Sequence, residues 1–198
     1  MPSAEPAGPD TAGADDLPLF RSTGETLIHQ GWVVALYRGE FVDPAGARFE
    51  RDIVRHPGAV AVVAVTDQDS VVLVHQYRPS VDRWLLEVPA GICDVDGEER
   101  AATARRELAE EAGYAASDLT LLTHCLLTPG FCDEVSSVYL ATGLRPVPLD
   151  RQGIEEGSMR VVEVPLVRFD AMVDDGSIVD ATTILGVGLA RRRLGAGP

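Results

Sequence analysis

Apolar residues in this chain gather into short, dense runs separated by turn residues, the spacing of a strand-rich fold. Gly58–Val65 and Ser70–Gln76 are almost wholly apolar and β-branched, on either side of Asp67-Gln68-Asp69. They predict neighbouring strands of a mixed sheet that are buried on both faces. Further runs predict strands at Thr26–His29, Trp32–Phe41, Arg48–Val54, Trp84–Val88, Leu119–Leu127, Val135–Gly143 and Met159–Val164. The turn residues Asp43-Pro44-Ala45-Gly46 join the second and third of these. Helical patterning is confined to the segment after Gly91, to Leu166–Asp174 and to Ala181–Arg193. Residues 1–18 are small, acidic and dotted with Pro2, Pro6, Pro9 and Pro18, a composition that predicts a disordered tail. Residues 19–198 carry no repeat and no second composition regime, which predicts a single domain. Strands interspersed with a few helices imply an α/β architecture, a sheet sandwiched between helices.

A chain of 198 residues suffices for one domain with a real core. Its net charge of −14 opposes a nucleic-acid groove or an anionic membrane surface as partner. No apolar run approaches the roughly 20 residues of a membrane span, and the N-terminus lacks a basic-then-apolar leader. Cys93, Cys125 and Cys132 show neither zinc nor redox spacing and read as reduced thiols, so a cytoplasmic protein is expected. Such an acidic chain can receive a phosphate ester only if metal cations or local arginines stand between the two anions.

The segment Gly91–Tyr114 carries most of the chemistry. A glycine turn leads into a helix that ends in Glu107, Glu110 and Glu111, with Gly113 placed as its C-cap. At about 100° per residue, Glu111 lies about 40° to one side of Glu107 and Glu110 about 60° to the other, so all three project from one face. Like charges three or four apart each cost a helix roughly 0.2–0.5 kcal/mol, and the helix dipole disfavours anions at this end. Only Arg105 and Arg106 stand near to offset them. A divalent cation between the carboxylates would explain the arrangement; a solvated acidic face is the other reading.

Residues 106–114 read REUxEExGU, where U is a bulky apolar residue, and seven residues separate Glu98 from Arg106. This resembles the signature of the Nudix hydrolases, and the resemblance extends over roughly Thr23 to Arg193. Six residues lie between Gly91 and Glu98 where the family usually has five, which leaves the path of the Cys93–Gly97 loop open. The resemblance implies a Nudix fold: an α/β/α sandwich with a mixed β-sheet and an N-terminal antiparallel strand region. It also implies Mg²⁺ (or Mn²⁺) held by Glu107, Glu111, Glu110 and the Ala90 carbonyl, and a Glu98–Arg106 pair that braces the helix.

Three outlying segments are similar to the ADP-ribose pyrophosphatases of that family. Thr128-Pro129-Gly130 followed by Asp133-Glu134 looks like their SPG turn and acidic pair, with Pro129 15 residues beyond Tyr114. Val72–Arg78 looks like their QYR strand, and Trp84–Gly91 like their W-x-x-E-x-P-A-G entry to the box. The resemblance implies substrate contacts from Arg78, which would grip a phosphate bidentately, and from Glu87, Gly130 and Glu134. It further places Trp32 against adenine, a core tryptophan being the other reading, and Arg55 near the substrate. A general base is implied at Glu155 or Glu156, in a loop before a late strand. The implied reaction is Mg²⁺-dependent hydrolysis of ADP-ribose to AMP and ribose 5-phosphate by a homodimer whose interface uses strands 24–55. Other nucleoside diphosphate sugars or dinucleotides are the alternative substrates. A ligand-sensing regulator would need a DNA-binding module, for which Leu166–Pro198 is too short. His29, His56, His75 and His124 lack ligand spacing and read as ordinary surface or satisfied histidines.

Overall fold

The computed structural model describes residues 17–149 and 156–195, with Glu156 described in its backbone alone. The expected tail therefore lies outside the described residues, apart from Leu17 and Pro18, which are exposed. The chain divides into two compact units, Met1–Arg55 and His56–Pro198.

The first unit is an antiparallel sheet of β1 (Arg21–Gln30), β2 (Ala35–Val42) and β3 (Arg48–Arg55), in that order. Asp43 closes the β2–β3 turn, its carboxylate accepting from the N–H groups of Ala45 (2.9 Å) and Ala47 (2.7 Å). Gly46 takes the left-handed conformation at φ +90° that the turn demands. The strand expected from Trp32 starts only at Ala35. The chain turns first, with the Gly31 N–H donating to the Val34 carbonyl at 2.9 Å. Trp32 rides on that turn fully exposed, which excludes the core-tryptophan reading.

The second unit holds a mixed sheet in the order β10 (Arg160–Pro165), β5 (Ser70–Arg78), β4 (Ala59–Val65), β9 (Val135–Pro146), β8 (Tyr114–Leu126). Strand β6 (Arg83–Glu87) pairs with β5, and β7 (Ala90–Ile92) pairs with β4. Among the described pairs in this sheet only β4–β9 is parallel. Alternate residues of β4 serve two cores. Ala61, Val63 and Val65 pack with Phe169 of α2 (Leu166–Asp174) and Val187 of α3 (Ala181–Leu194). Val60, Val62 and Ala64 pack with Ala104 and Leu108 of α1 (Arg100–Ala112). Burial on both faces is why β4 and residues Val71–Val74 of β5 are apolar at every position instead of every second one. The second unit is the expected α/β/α sandwich, and the first is the expected antiparallel N-terminal sheet.

Two elements differ from the pattern. Strand β8 begins at Tyr114, five residues before its apolar run, because its start pairs with the far end of β9, Tyr114 against Pro146. Within the glycine turn, β7 pairs Ala90–Ile92 with Ala59–Ala61, while β5 pairs only with Ala64 and Val65 of β4. The junction is bridged by Val62 N–H donating to the Pro89 carbonyl at 2.8 Å.

Candidate active site

A cleft of about 440 Å³ opens where β7, the end of β5 and the start of β9 meet the N-terminus of α3. Arg78, Glu87, Ala90, Gly91 and Glu134, all singled out in the sequence, line it. His56, Ser136, Asp180 and Thr182 line it too, and no motif announced them.

Helix α1 packs against β7, and none of its residues is among those that line the cleft. Arg100, its first residue, donates from Nη1 to the Val135 carbonyl and the Ser137 hydroxyl, both at 3.1 Å, tying the helix to β9. At the far end Gly113, at φ 71°, returns its N–H to the Ala109 carbonyl at 3.1 Å, the expected C-cap. Between these anchors, α1 presses its glutamates onto β7. The buried Glu111 accepts the Ala90 N–H through Oε2 at 2.9 Å. Glu107 lies so close over Gly91 that a Cβ there would overlap its carboxylate. Glycine is required at that position by close approach; its backbone stays in an ordinary conformation.

Arg106 offsets more of the acidic charge than the sequence suggested. Its Nη1 donates to Glu107 (2.8 Å) and Glu110 (3.1 Å), and its Nη2 donates to Glu98 (3.2 Å). Burial opposes the charge on Arg106, but these carboxylates outweigh it and hold the guanidinium firmly protonated. Glu98 also receives the Thr103 hydroxyl at 2.8 Å. Arg106 first, and Thr103 second, hold the Glu98 carboxyl below the usual glutamate range. The bracing pair expected from the pattern is thus in place. One guanidinium is thus shared among three carboxylates.

Among the described residues, no three acidic, histidine or cysteine side chains converge into a closed metal cage. What the site offers is a set of hard oxygen donors, Glu107 and Glu111 against the Ala90–Gly91 backbone, with Glu110 one step away on Arg106. Carboxylate and carbonyl oxygens fit Mg²⁺ or Mn²⁺ and do not favour soft, thiolate-seeking ions.

Arg78 departs from the expected geometry. Its Nε donates to Glu87 Oε1 at 2.9 Å and its Nη2 to Oε2 at 2.5 Å, so the forked edge meant for a phosphate is engaged by a buried carboxylate. The bond to Glu87 is the main reason its pKa rises further. Glu134 faces the cleft, whereas its neighbour Asp133 accepts the His56 N–H at 2.9 Å and straps that residue down. Gly130 sits in the exposed Thr128–Cys132 turn, where the Cys132 N–H bonds the Thr128 carbonyl at 3.0 Å, and it is not among the cleft-lining residues. The wall from α3 is set by Asp180. Its carboxylate caps the Thr183 N–H at 2.7 Å, and the Thr183 hydroxyl receives the Val88 N–H at 2.9 Å. Trp32 and Arg55 belong to the first unit, where Arg55 pairs with Glu25 at 2.5 Å. Glu155 and the Glu156 side chain lie outside the described residues.

The NUDIX domain model matches residues 55–180, the stretch that supplies most of the cleft. The chain is 40% identical over 168 residues to the ADP-ribose pyrophosphatase of Mycobacterium tuberculosis (strain ATCC 25618 / H37Rv), covering 85% of this chain and 81% of that protein. It is likewise 40% identical over 167 residues to the ADP-ribose pyrophosphatase of Bacillus subtilis (strain 168), covering 84% and 90%. In fold it is similar to an ADP compounds hydrolase known from its crystal structure, with a TM-score of 0.77 at 23% identity over 90% of this chain and 94% of the other. A sequence signature, a sandwich and a glutamate–glycine junction that each point the same way are joined here by the matching family model: the chain belongs to the Nudix hydrolases.

Proposed function

We propose that this pyrophosphohydrolase cleaves ADP-ribose to AMP and ribose 5-phosphate in the cytoplasm, as a Mg²⁺-dependent homodimer. The observation that carries the reading is the junction of α1 and β7, where Glu107 occupies the space above Gly91 and Glu111 holds the Ala90 N–H. Relatives named ADP-ribose pyrophosphatase, at 40% identity over most of the chain, supply the substrate.

Glu107, Glu111, Glu110 and the Ala90 carbonyl would hold the Mg²⁺ (or Mn²⁺). Such an ion, when bound, neutralises the diphosphate and makes water a stronger acid. The remaining tasks fall to the chain. Glu155 or Glu156 takes a proton from water; the water oxygen adds to one phosphorus, and the bridging P–O bond breaks with its electron pair on the leaving phosphate. Arg78, buttressed by Glu87, presents its remaining edge to the diphosphate, and Glu134 and Gly130 meet the substrate's far end. Full exposure leaves the Trp32 ring available to adenine, and the reading places Arg55 near the substrate.

Release of AMP from ADP-ribose with Mg²⁺ present is the test. Glu107→Gln and Glu111→Gln are expected to lower kcat by about 10²–10⁴-fold with the melting temperature little changed. Unaltered turnover in both variants would refute the assignment. A tenfold wild-type preference for a different nucleoside diphosphate sugar would replace ADP-ribose as the substrate.

A further inference from the structure

We infer that His56 is a substrate-binding residue whose Nδ1 is engaged by the backbone and whose Nε2–H donates a hydrogen bond to a hydroxyl of the sugar beyond the diphosphate. The sugar rests on the function proposed above; the engagement of Nδ1 and the placement do not. Gly58 donates its backbone N–H to His56 Nδ1 at 3.0 Å. A backbone N–H can only donate, so Nδ1 accepts through its lone pair, and the ring's N–H is the one on Nε2. Two bonds hold the residue. Its own N–H is strapped to Asp133 at 2.9 Å, and Pro57 contributes no donor to compete. Gly58 takes φ +95°, and a Cβ there would stand 2.9 Å from the Arg100 guanidinium, so the turn admits little but glycine.

His56 lines the cleft together with Glu134, Ser136, Ala90 and Gly91. With Nδ1 committed, the remaining polar group is Nε2–H, which has no protein acceptor among the described residues. The chemistry of this end of the cleft selects the ligand. A neutral N–H donor sharing the cleft with the Glu134 carboxylate is a poor host for an added anion. A sugar hydroxyl, by contrast, both donates and accepts: a carboxylate such as Glu134 takes its proton and the imidazole N–H serves its oxygen. The inferred ligand group is therefore a hydroxylated sugar.

Two variants separate this role from the turn that holds the ring. In His56→Asn, the amide oxygen reaches the position of Nδ1 and accepts the Gly58 N–H as an Asx turn, but nothing stands where Nε2 was. In His56→Gln, the amide nitrogen reaches the Nε2 position and the Gly58 N–H loses its acceptor. Each is assayed on ADP-ribose and on an ADP alkyl ester whose distal group bears no hydroxyl. His56→Asn is expected to keep its melting temperature within about 2 °C and to lose about tenfold in kcat/KM on ADP-ribose, chiefly through KM. On the alkyl ester its change stays under about twofold. His56→Gln is expected to melt lower yet keep kcat/KM on ADP-ribose within about threefold of wild type. Equal losses of His56→Asn on both substrates, or a loss in His56→Gln as large as in His56→Asn, would overturn the inference and leave His56 as a turn residue only. Should wild type ignore ADP-ribose but cleave another nucleoside diphosphate sugar, the proposed substrate fails and the same comparison is made on that sugar. Cleavage of none overturns both.

Discussion

The two units are built on opposite principles. In the second, strands β4 and β5 are buried along most of their length and feed two separate cores. In the first, all ten residues of β1 are exposed, and among its described residues Ala35 and Val42 are the only buried apolar side chains. Surface contacts do the holding there instead. Phe49 stacks on Phe41 at 5.4 Å, meets Phe20 edge-on at 6.1 Å and carries the Arg51 guanidinium 4.8 Å above its ring. The lesson is that the cleft is mounted on the part of the chain whose own packing is sufficient to hold it rigid. The first unit, with Leu27, Ile28 and Val33 open to solvent, has apolar surface to spare for a partner, which is the physical support for the proposed dimer.

The largest expected effect tests that division at its most sensitive point. Gly91→Ala drives a methyl group into the Glu107 carboxylate, and the buried Ala104–Leu108 face of α1 leaves the helix little room to shift without breaking its packing on β4. Loss of kcat by about two orders of magnitude or more is expected, with no comparable loss from any alanine substitution at an exposed residue of β1. Steady-state kinetics with Mg²⁺ check it. A near-normal Gly91→Ala enzyme would mean the junction is not rigid.

Much of the second unit was legible because its chemistry repeats along the chain. Two-sided burial writes unbroken apolar runs at β4 and β5, and one helical face writes Glu107, Glu110 and Glu111 at spacings of three and four. Glu98 and Arg106 could be paired on paper only through the resemblance to the family signature, because Glu98 precedes the extended N-cap Glu99 and lies outside α1. The rest has no such periodicity. Trp32, Val33 and Val34 look like the start of a strand, and the turn that ejects them is fixed by a single bond from Gly31. Strand β7 hides within a glycine turn since three residues are too few to show a period. Arg78 was legible as a cation that needs a partner. That the partner is Glu87, nine positions on, depends on the β5–β6 register, which sets Arg78 against Arg83 and Val74 against Glu87. His56 was passed over because its value comes from a bond to the backbone two residues later, and histidine spacing carries no trace of it.

A smaller effect sharpens the contrast in stability. Leu73 is fully buried in the core beneath α2 and α3, so Leu73→Ala should cost about 2–5 kcal/mol. Phe49→Ala removes the hub of the first unit's aromatic contacts but leaves no comparable cavity, and about 1–2 kcal/mol is expected. Denaturant titration measures both. Amide exchange distinguishes them further: Phe49→Ala should raise exchange in β1–β3 selectively, whereas Leu73→Ala should raise it across the sandwich. Equal costs would erase the distinction between the units.

The smallest effect concerns the ion pair Arg38–Glu50, which spans β2 and β3 at 3.6 Å with both side chains more than half exposed. Water and salt screen such a pair, and its two long side chains lose rotamer freedom to meet, so Glu50→Gln should change stability by less than about 0.5 kcal/mol and turnover not at all. The value lies in the contrast with Phe49, one residue away on the same strand. If the first unit is organised by its aromatic contacts, only Phe49→Ala registers in a denaturation curve. A drop of more than about 1 kcal/mol for Glu50→Gln, abolished by molar salt, would show that charge and not ring packing sets the pairing of β2 with β3.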